Sequence, residues 1–522
     1  MKSTLKVIHQ GITLAVLLGC SARACAANAV VASPCGEAQF DTAFNAVNAG
    51  SGGILTFNCG GAKTITFTGG KNVVAPVTID GANLITLDGN GSTYFFQVFS
   101  AKSLTLKNIT LQNGADNGTH PLENFGALTL DHATVKNNVS TGSAVYNNGT
   151  LQVLASTFSG NSLQAGGDIA GAAIHQVSGS TKVTGSTFSS NTIPFAINSG
   201  TGGAIALGSG DLKIAHTTFS SNSAFEGGAI RLGSATTALI ESSTFSGNTA
   251  RYGGALENAG STATIKQTSF TTNNTTGGSD GGAIWNLTGN LTIDSCEFTG
   301  NKAGSKGGAI SHYGDILFVN NSAFSGNTSG TDGGAIYAGG DLYSNDSTFY
   351  NNTASGLGGA LHQTGLAVFE LTFATIVGNS AADGGLSGGM TGTHTPDVGY
   401  SIVSANKVGA GPTIDNCAGN FNSIGYNVSD GPTCGGVFTS TGDHVNVSVP
   451  MQSFANHGGP TSTLPPAASG NIAVNLIPTS PAGCVPLDQR GAVRPAGAKC
   501  DAGAFELNGI IDEIFKDGFE AF

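Results

Sequence analysis

Charge is scarce in this chain. Of its 522 residues only 10% are Asp, Glu, Lys or Arg, where an ordinary soluble domain carries about 25%. The 20 Lys and Arg are outnumbered by 32 Asp and Glu, for a net charge of −12. A nucleic-acid binder needs a basic stripe to neutralise phosphates, so that class is excluded. Tryptophan occurs once and methionine three times. No run of 18 or more apolar residues is present, so the sequence offers no membrane-spanning helix. A phosphate loop ending in Lys-Ser/Thr and a G-x-S-x-G elbow before a helix are also missing.

Glycine is abundant instead, at 80 residues. It keeps no three-residue period, which excludes collagen. With 28 Phe and 39% hydrophobic residues, the chain can bury enough apolar surface to avoid disorder. It should fold, with many turns.

The first 26 residues read as an export signal. Lys2 and Lys6 precede a short apolar run, Gly11 to Gly19. Two processing routes are open. Ala24-Cys25-Ala26 suits ordinary cleavage, and Leu17-Leu18-Gly19-Cys20 is similar to a lipobox that would lipidate Cys20. Lipidation is the only membrane attachment the sequence suggests. Export implies an oxidising compartment. By position, six cysteines form local pairs: Cys35 with Cys59, Cys417 with Cys434, and Cys484 with Cys500. Cys296 is left over, with no His or Cys at metal-ligand spacing, and is expected to be a buried thiol.

The strongest signal is repetition. Phe-x-x-Asn occurs at Phe158/Asn161, Phe188/Asn191, Phe219/Asn222, Phe245/Asn248, Phe270/Asn273, Phe298/Asn301, Phe324/Asn327 and Phe349/Asn352, with Ile376/Asn379 as a variant. The steps average about 27 residues. Gly-Gly-Ala-Ile/Leu alternates with it, starting at Gly202, Gly227, Gly253, Gly281, Gly307, Gly333 and Gly358. No repeat holds ten residues of helical period. Short alternating strands and Gly, Asn, Ser and Thr turns fill each unit. The expected fold class is all-β: a right-handed, single-stranded parallel β-helix of the pectin-lyase-like type. About a dozen coils would stack about 4.8 Å apart. Phe then forms an aromatic column, Asn a turn ladder, and Gly-Gly a tight corner with positive φ.

The expected domains are a signal at 1–26, an N-terminal cap at 27–50 and β-helix repeats at 51–405. A disulfide-stapled C-terminal cap region at 406–506 and a tail at 507–522 follow. Phe40, Phe44 and Val47 have helical spacing, with Gly50 as the stop. After about residue 405 the repeat ends, and ten of the 15 Pro lie from Pro412 onward. The last segment, Ile510 to Phe522, is amphipathic and acidic.

The alternating repeats resemble those of the chlamydial polymorphic outer-membrane proteins over roughly 126–390. That resemblance implies a β-helical surface passenger acting as an adhesin. The large membrane barrel of that family has no counterpart among the roughly 120 residues after the repeats. The C-terminal region is similar to the choice-of-anchor Q β-helix proteins. The shared stretches are Gly425-Tyr426-Asn427, Asn456 to Thr461, Ser480-Pro481-Ala482, Asp488-Gln489-Arg490-Gly491, Arg494-Pro495 and Cys500 to Glu506. This resemblance implies bacterial surface placement and no particular reaction.

β-Helices also serve pectate lyases and polygalacturonases, so one face could carry chemistry. The residue after Ile or Leu of Gly-Gly-Ala-Ile/Leu should point outward by period-2 alternation. Coil by coil it is His175, Ala206, Arg231, Glu257, Trp285, Ser311, Tyr337 and His362. One carboxylate stands there beside one Arg, with no carboxylate pair, so no catalytic residue is expected. Trp285 and Tyr337, two coils or roughly 9.6 Å apart, suit stacking on sugar rings, flanked by Arg231, His312 and His362. The sequence therefore suggests an extracellular, adhesin-like monomer that binds glycans or host or matrix proteins without a cofactor. Two alternatives stay open: a polysaccharide lyase or glycoside hydrolase, the former with Ca²⁺, and a structural surface component.

Overall fold

A computed structural model describes residues 27–511, apart from 116–119, 165–169, 196–198, 235, 366, 389–394, 469 and 480–482. The export signal with Cys20, Ser480–Ala482 and the tail from residue 512 lie outside the described residues. The chain is a right-handed parallel β-helix. Among the described residues one sheet holds 14 short strands, one per coil, a few more coils than the repeat count suggests. A typical coil runs through Ile230–Leu232, Thr236–Glu241, Thr244–Ser246 and Thr249–Ala250. Each strand pairs in parallel with its counterpart one coil on: Ile230 with Leu256, Phe245 with Phe270, and Thr249 with Asn274.

Three left-handed corners recur through the Gly-Gly-Ala-Ile/Leu coils. One precedes the Ser/Thr-Phe strand, as at Ser242 (φ 47°). One lies between Phe and Asn of the repeat, as at Gly247 (φ 60°), and the third is the first Gly of Gly-Gly. The two glycines do different work. Gly281 has φ 70°, a conformation that favours glycine. Gly282 has no such φ, but a Cβ there would stand 2.0 Å from the carbonyl oxygen of Gly308 on the next coil. The positive-φ expectation thus holds for the first glycine, and close backbone approach explains the second. Gly282→Ala is expected to destabilise by about 1–3 kcal/mol, as overpacking does, read as a lowered urea midpoint.

Inside the coil the repeat residues stack in register. Eight Phe, from Phe158 to Phe349, form a column with ring centroids 4.7–4.9 Å apart. Beside it runs an amide ladder. Asn273 Nδ2 donates to Asn301 Oδ1 and to the Phe245 carbonyl, both at 3.0 Å. Its Oδ1 accepts from the backbone N–H and Nδ2 of Asn248. All four amide hydrogen-bonding positions are filled, which is what burial of a polar side chain requires. A hydroxyl column of Ser or Thr lines a second corner, and Cys296 takes one place in it. Its buried thiol lies 3.4 Å from the Ile265 carbonyl, and burial pushes it up to about 12. It is therefore a neutral, inert thiol.

At the N-terminal end, helix Glu37–Val47 buries Phe40, Ala43, Phe44 and Val47. Its C-cap residue Asn48 bonds Asn72 O and Val74 N, so its amide covers the edge of the first short strand. The Cys35–Cys59 bridge ties the helix to the first coils. The other two pairs also form, Cys417–Cys434 and Cys484–Cys500.

The region at 406–506 does more than end the solenoid. Coils continue to His444–Val445, and the chain then folds back as a strap along one flank. Thr461 Oγ1 donates to Asn321 O, Ser462 Oγ to Glu297, and Ala504 N to Thr375 Oγ1. The Asp-Gln-Arg-Gly and Cys-Asp-Ala-Gly-Ala-Phe-Glu stretches supply the locks. Asp488 accepts from Arg490 and from Glu506 N, and Arg490 lies 3.4 Å over the Phe505 ring. Arg494 pairs with Asp346 of the coil at 2.8 Å.

Candidate functional site

The outward row of the short strands forms as the alternation requires. His175, Ala206, Arg231, Glu257, Trp285, Ser311, Tyr337 and His362 stand one above another, coil by coil. It is not an open platform, however. A second row, the residue just before Gly-Gly, leans over it from the preceding coil. That row is Glu226, Tyr252, Asp280, Lys306, Asp332, Leu357 and Asp383. Tyr252 stacks on Trp285 with centroids 4.5 Å apart. Lys306 lies 4.3 Å over the Tyr337 ring and donates to its hydroxyl at 3.1 Å. Tyr313, 37% exposed, crosses the face and donates to Asp280 at 2.8 Å.

Three expectations are corrected by this covering. Tyr337 is buried at 5% exposure, so it is not a stacking surface. Trp285 keeps part of its surface and stacks on the half-buried Tyr252, while the exposed aromatic of this face is Tyr313, whose ring meets Tyr337 at 5.4 Å. His312 is not on the face at all. It follows Ser311 and so points inward, fully buried. There Nδ1 accepts from Asn286 Nδ2 at 2.8 Å, and Nε2 donates to the Asp341 carbonyl at 3.1 Å. Burial pushes its pKa down to about 4, so it stays neutral as a member of an interior amide column. His362 is also buried and lowered, chiefly by desolvation. His175 is partly exposed and meets Tyr146 edge-on, 5.9 Å away, well along the row from Trp285.

The expectation of a solitary carboxylate is overturned as well. Glu226 bonds side chain to side chain with Glu257 of the next coil, and Arg231 Nε stands 3.7 Å from Glu257 Oε2. Burial first, then the charge of Glu226, raises Glu257 to about 8, with Arg231 opposing. Glu257 therefore holds a proton at neutral pH. Reading one strand row could not reveal the pair, because its second member comes from the turn before Gly-Gly. The two carboxyls share a hydrogen bond, whereas glycosidase pairs stand about 5 Å or more apart to admit sugar or water. Among the described residues, no group of three or more His, Cys, Asp or Glu could hold a metal ion.

The raised Glu257 has a consequence for stability. An acid raised on folding contributes stability that is present below its unfolded pKa, 4.5, and lost as pH climbs through its folded value, about 8. The urea midpoint is expected to fall between pH 5 and pH 8, and Glu257→Gln to flatten that slope.

The class defined by this geometry is a right-handed β-helix with one aromatic and polar outer seam. A family model for the right-handed beta helix region matches residues 202–358, the best-formed repeats. The sequence matches no curated protein. The structure is similar to the PL6 family alginate lyase AlyGC, with a TM-score of 0.40 and 13% identity. The alignment covers 89% of this chain and 58% of that one. It is also similar to a mannuronic acid specific polysaccharide family 6 lyase from human gut microbiota. There the TM-score is 0.34 and the identity 9%, over 74% of this chain and 82% of the other. The likeness is to the solenoid alone, and no activity is read from it.

Proposed function

We propose that this protein is an extracellular carbohydrate-binding rod without catalytic activity, and that its site is the seam around Trp285. The carrying observation is the partly exposed Tyr252–Trp285 stack beside Tyr313. It stands on rigid paired strands, with the Tyr313 hydroxyl and the Asp280 carboxylate on the same face. Sugar rings offer both an apolar face to stack and hydroxyls to bond, and aromatic side chains with a polar handle suit both. Three disulfides support placement outside the cell. A rod of this kind gains retention on a polymer through many weak contacts.

A second reading, cleavage of a polysaccharide, has one observation in its favour: the Glu226–Glu257 pair beside Arg231. One experiment separates the two. The exported chain, incubated with neutral and acidic polysaccharides with and without Ca²⁺, is assayed for retention, reducing ends and unsaturated products. Binding without products is expected, and Trp285→Ala should weaken retention at least tenfold, as loss of an aromatic anchor does. Product formation abolished by Glu257→Gln would establish the second reading instead.

A further inference from the structure

We propose that the seam carries a second stacking station at Tyr146, in register with Trp285, and that its ligand is an extended polysaccharide long enough to reach both. The inference rests on the carbohydrate-binding reading above. Its evidence is a repeated geometry. At Trp285 a ring of the outward row is covered by Tyr252 of the preceding coil, with centroids 4.5 Å apart and planes inclined by 26°. At Tyr146 the same row presents another ring, covered by His120 of the preceding coil at 4.5 Å and 28°. The His120 ring has a built seat. Its Nδ1 lies 3.3 Å from the Ser143 carbonyl, and Gly142 makes room for it, since a Cβ there would stand 2.3 Å from that nitrogen. Phe125 flanks the stack, 5.9 Å from Tyr146. It follows strand Leu122–Asn124, and the equivalent residue one coil earlier, Phe99, is 40% exposed. Polar groups adjoin the rings. Glu123 is the strand partner of Tyr146 and accepts from Gln97 Nε2 at 2.6 Å. Aromatic faces edged by polar groups suit a sugar ring.

Paired strands fix the spacing of the two stations. The row steps from Tyr146 through His175, Ala206, Arg231 and Glu257 to Trp285, one residue per coil. These five coils span roughly 24 Å along the axis. A trisaccharide is too short to bridge that span, whereas a polymer laid along the axis meets both stations. The second contact is then intramolecular, and contacts joined in this way gain about 10²-fold or more over either alone. Short fragments should therefore bind far more weakly than polymer.

The test titrates the full exported chain with soluble β-glucan, mannan, alginate and polygalacturonate and with trisaccharides cut from each, reading retention and Trp285 emission. Tyr146→Ala should weaken binding of the polymer that retains the wild type at least tenfold. It should leave the trisaccharide response of Trp285 nearly unchanged. Tyr146→Phe keeps the ring and should bind as the wild type does. A double variant reads the station directly. Trp285→Phe with Tyr146→Trp moves the sole tryptophan to it, and polymer should shift its emission. Full retention of Tyr146→Ala on that polymer, or no emission change in the double variant, would overturn the second station and leave the Trp285 reading standing. Loss of trisaccharide and polymer alike in Tyr146→Ala would assign that residue a structural role and overturn the station too. Retention on none of the polymers, or retention untouched by Trp285→Ala, would overturn the carbohydrate seam and the station with it.

Discussion

Replacing Arg494 with Met is expected to lower stability by about 3–5 kcal/mol, the usual loss when one partner of a buried ion pair is removed. Arg494 is the bolt between strap and solenoid. It donates to Asp346 of the coil at 2.8 Å and to the Asp501 and Gly503 carbonyls of the strap, with its guanidinium 4.7 Å over the Phe373 ring. Both members of the pair are almost fully buried. Burial already raises Asp346 to about 7 against the pull of Arg494, so removing the Arg leaves a carboxyl that must take up a proton or remain uncompensated. The strap should loosen before the coils. Limited proteolysis should cut within 447–511 in the variant under conditions that leave the wild type whole, while β-sheet circular dichroism persists. Arg494→Met combined with Asp346→Leu should recover part of the loss, because the carboxylate that Arg494 pairs most closely is removed with it, while Glu506, 3.9 Å from Arg494, stays behind.

The second large effect is expected inside the coil. Asn273→Ala should cost about 3 kcal/mol or more, the sum of two or three buried groups left without partners. The deletion removes the acceptor for Asn248 N and Nδ2 and the donor to the Phe245 carbonyl and Asn301 Oδ1. No water can replace it in a column whose neighbours are fully buried. Thr272→Gly is the control one residue away. Thr272 is the left-handed corner residue with φ 53°, and the same corner on the coils before and after is Gly247 and Gly300. Glycine adopts that φ freely, so this substitution should leave the urea midpoint nearly unchanged.

The solenoid was legible because each coil repeats the same demands. A buried Phe, a fully bonded Asn and two close-packed glycines recur where stacking places each above its copy, so spacing alone announces the fold. The helix cap was legible from Phe40, Phe44 and Val47, and the three bridges from local cysteine pairs. The strap was not. Its contacts, such as Thr348 with Gln489 and Asp346 with Arg494, join residues about 140 apart that share no period. The motif residues Asp488, Arg490 and Glu506 look like surface polars in the sequence, yet they are buried and bonded to one another. The seam was half legible. Alternation placed Arg231, Glu257 and Trp285 on one row, but the strand pattern says nothing of the residue before Gly-Gly. That residue brings Glu226 to Glu257, Tyr252 to Trp285 and Lys306 to Tyr337, and so decides what the row exposes.

Trp285 is the only tryptophan in the chain, so it reports on its own surroundings. The most direct measurement is its fluorescence during titration of the wild-type protein with a soluble neutral polysaccharide, with Tyr252→Ala in parallel. A ligand stacking at the seam should shift and saturate the emission, with the midpoint moved at least tenfold in the variant. Emission unchanged at polymer concentrations that retain the protein would place the binding elsewhere and contradict the assignment of this site.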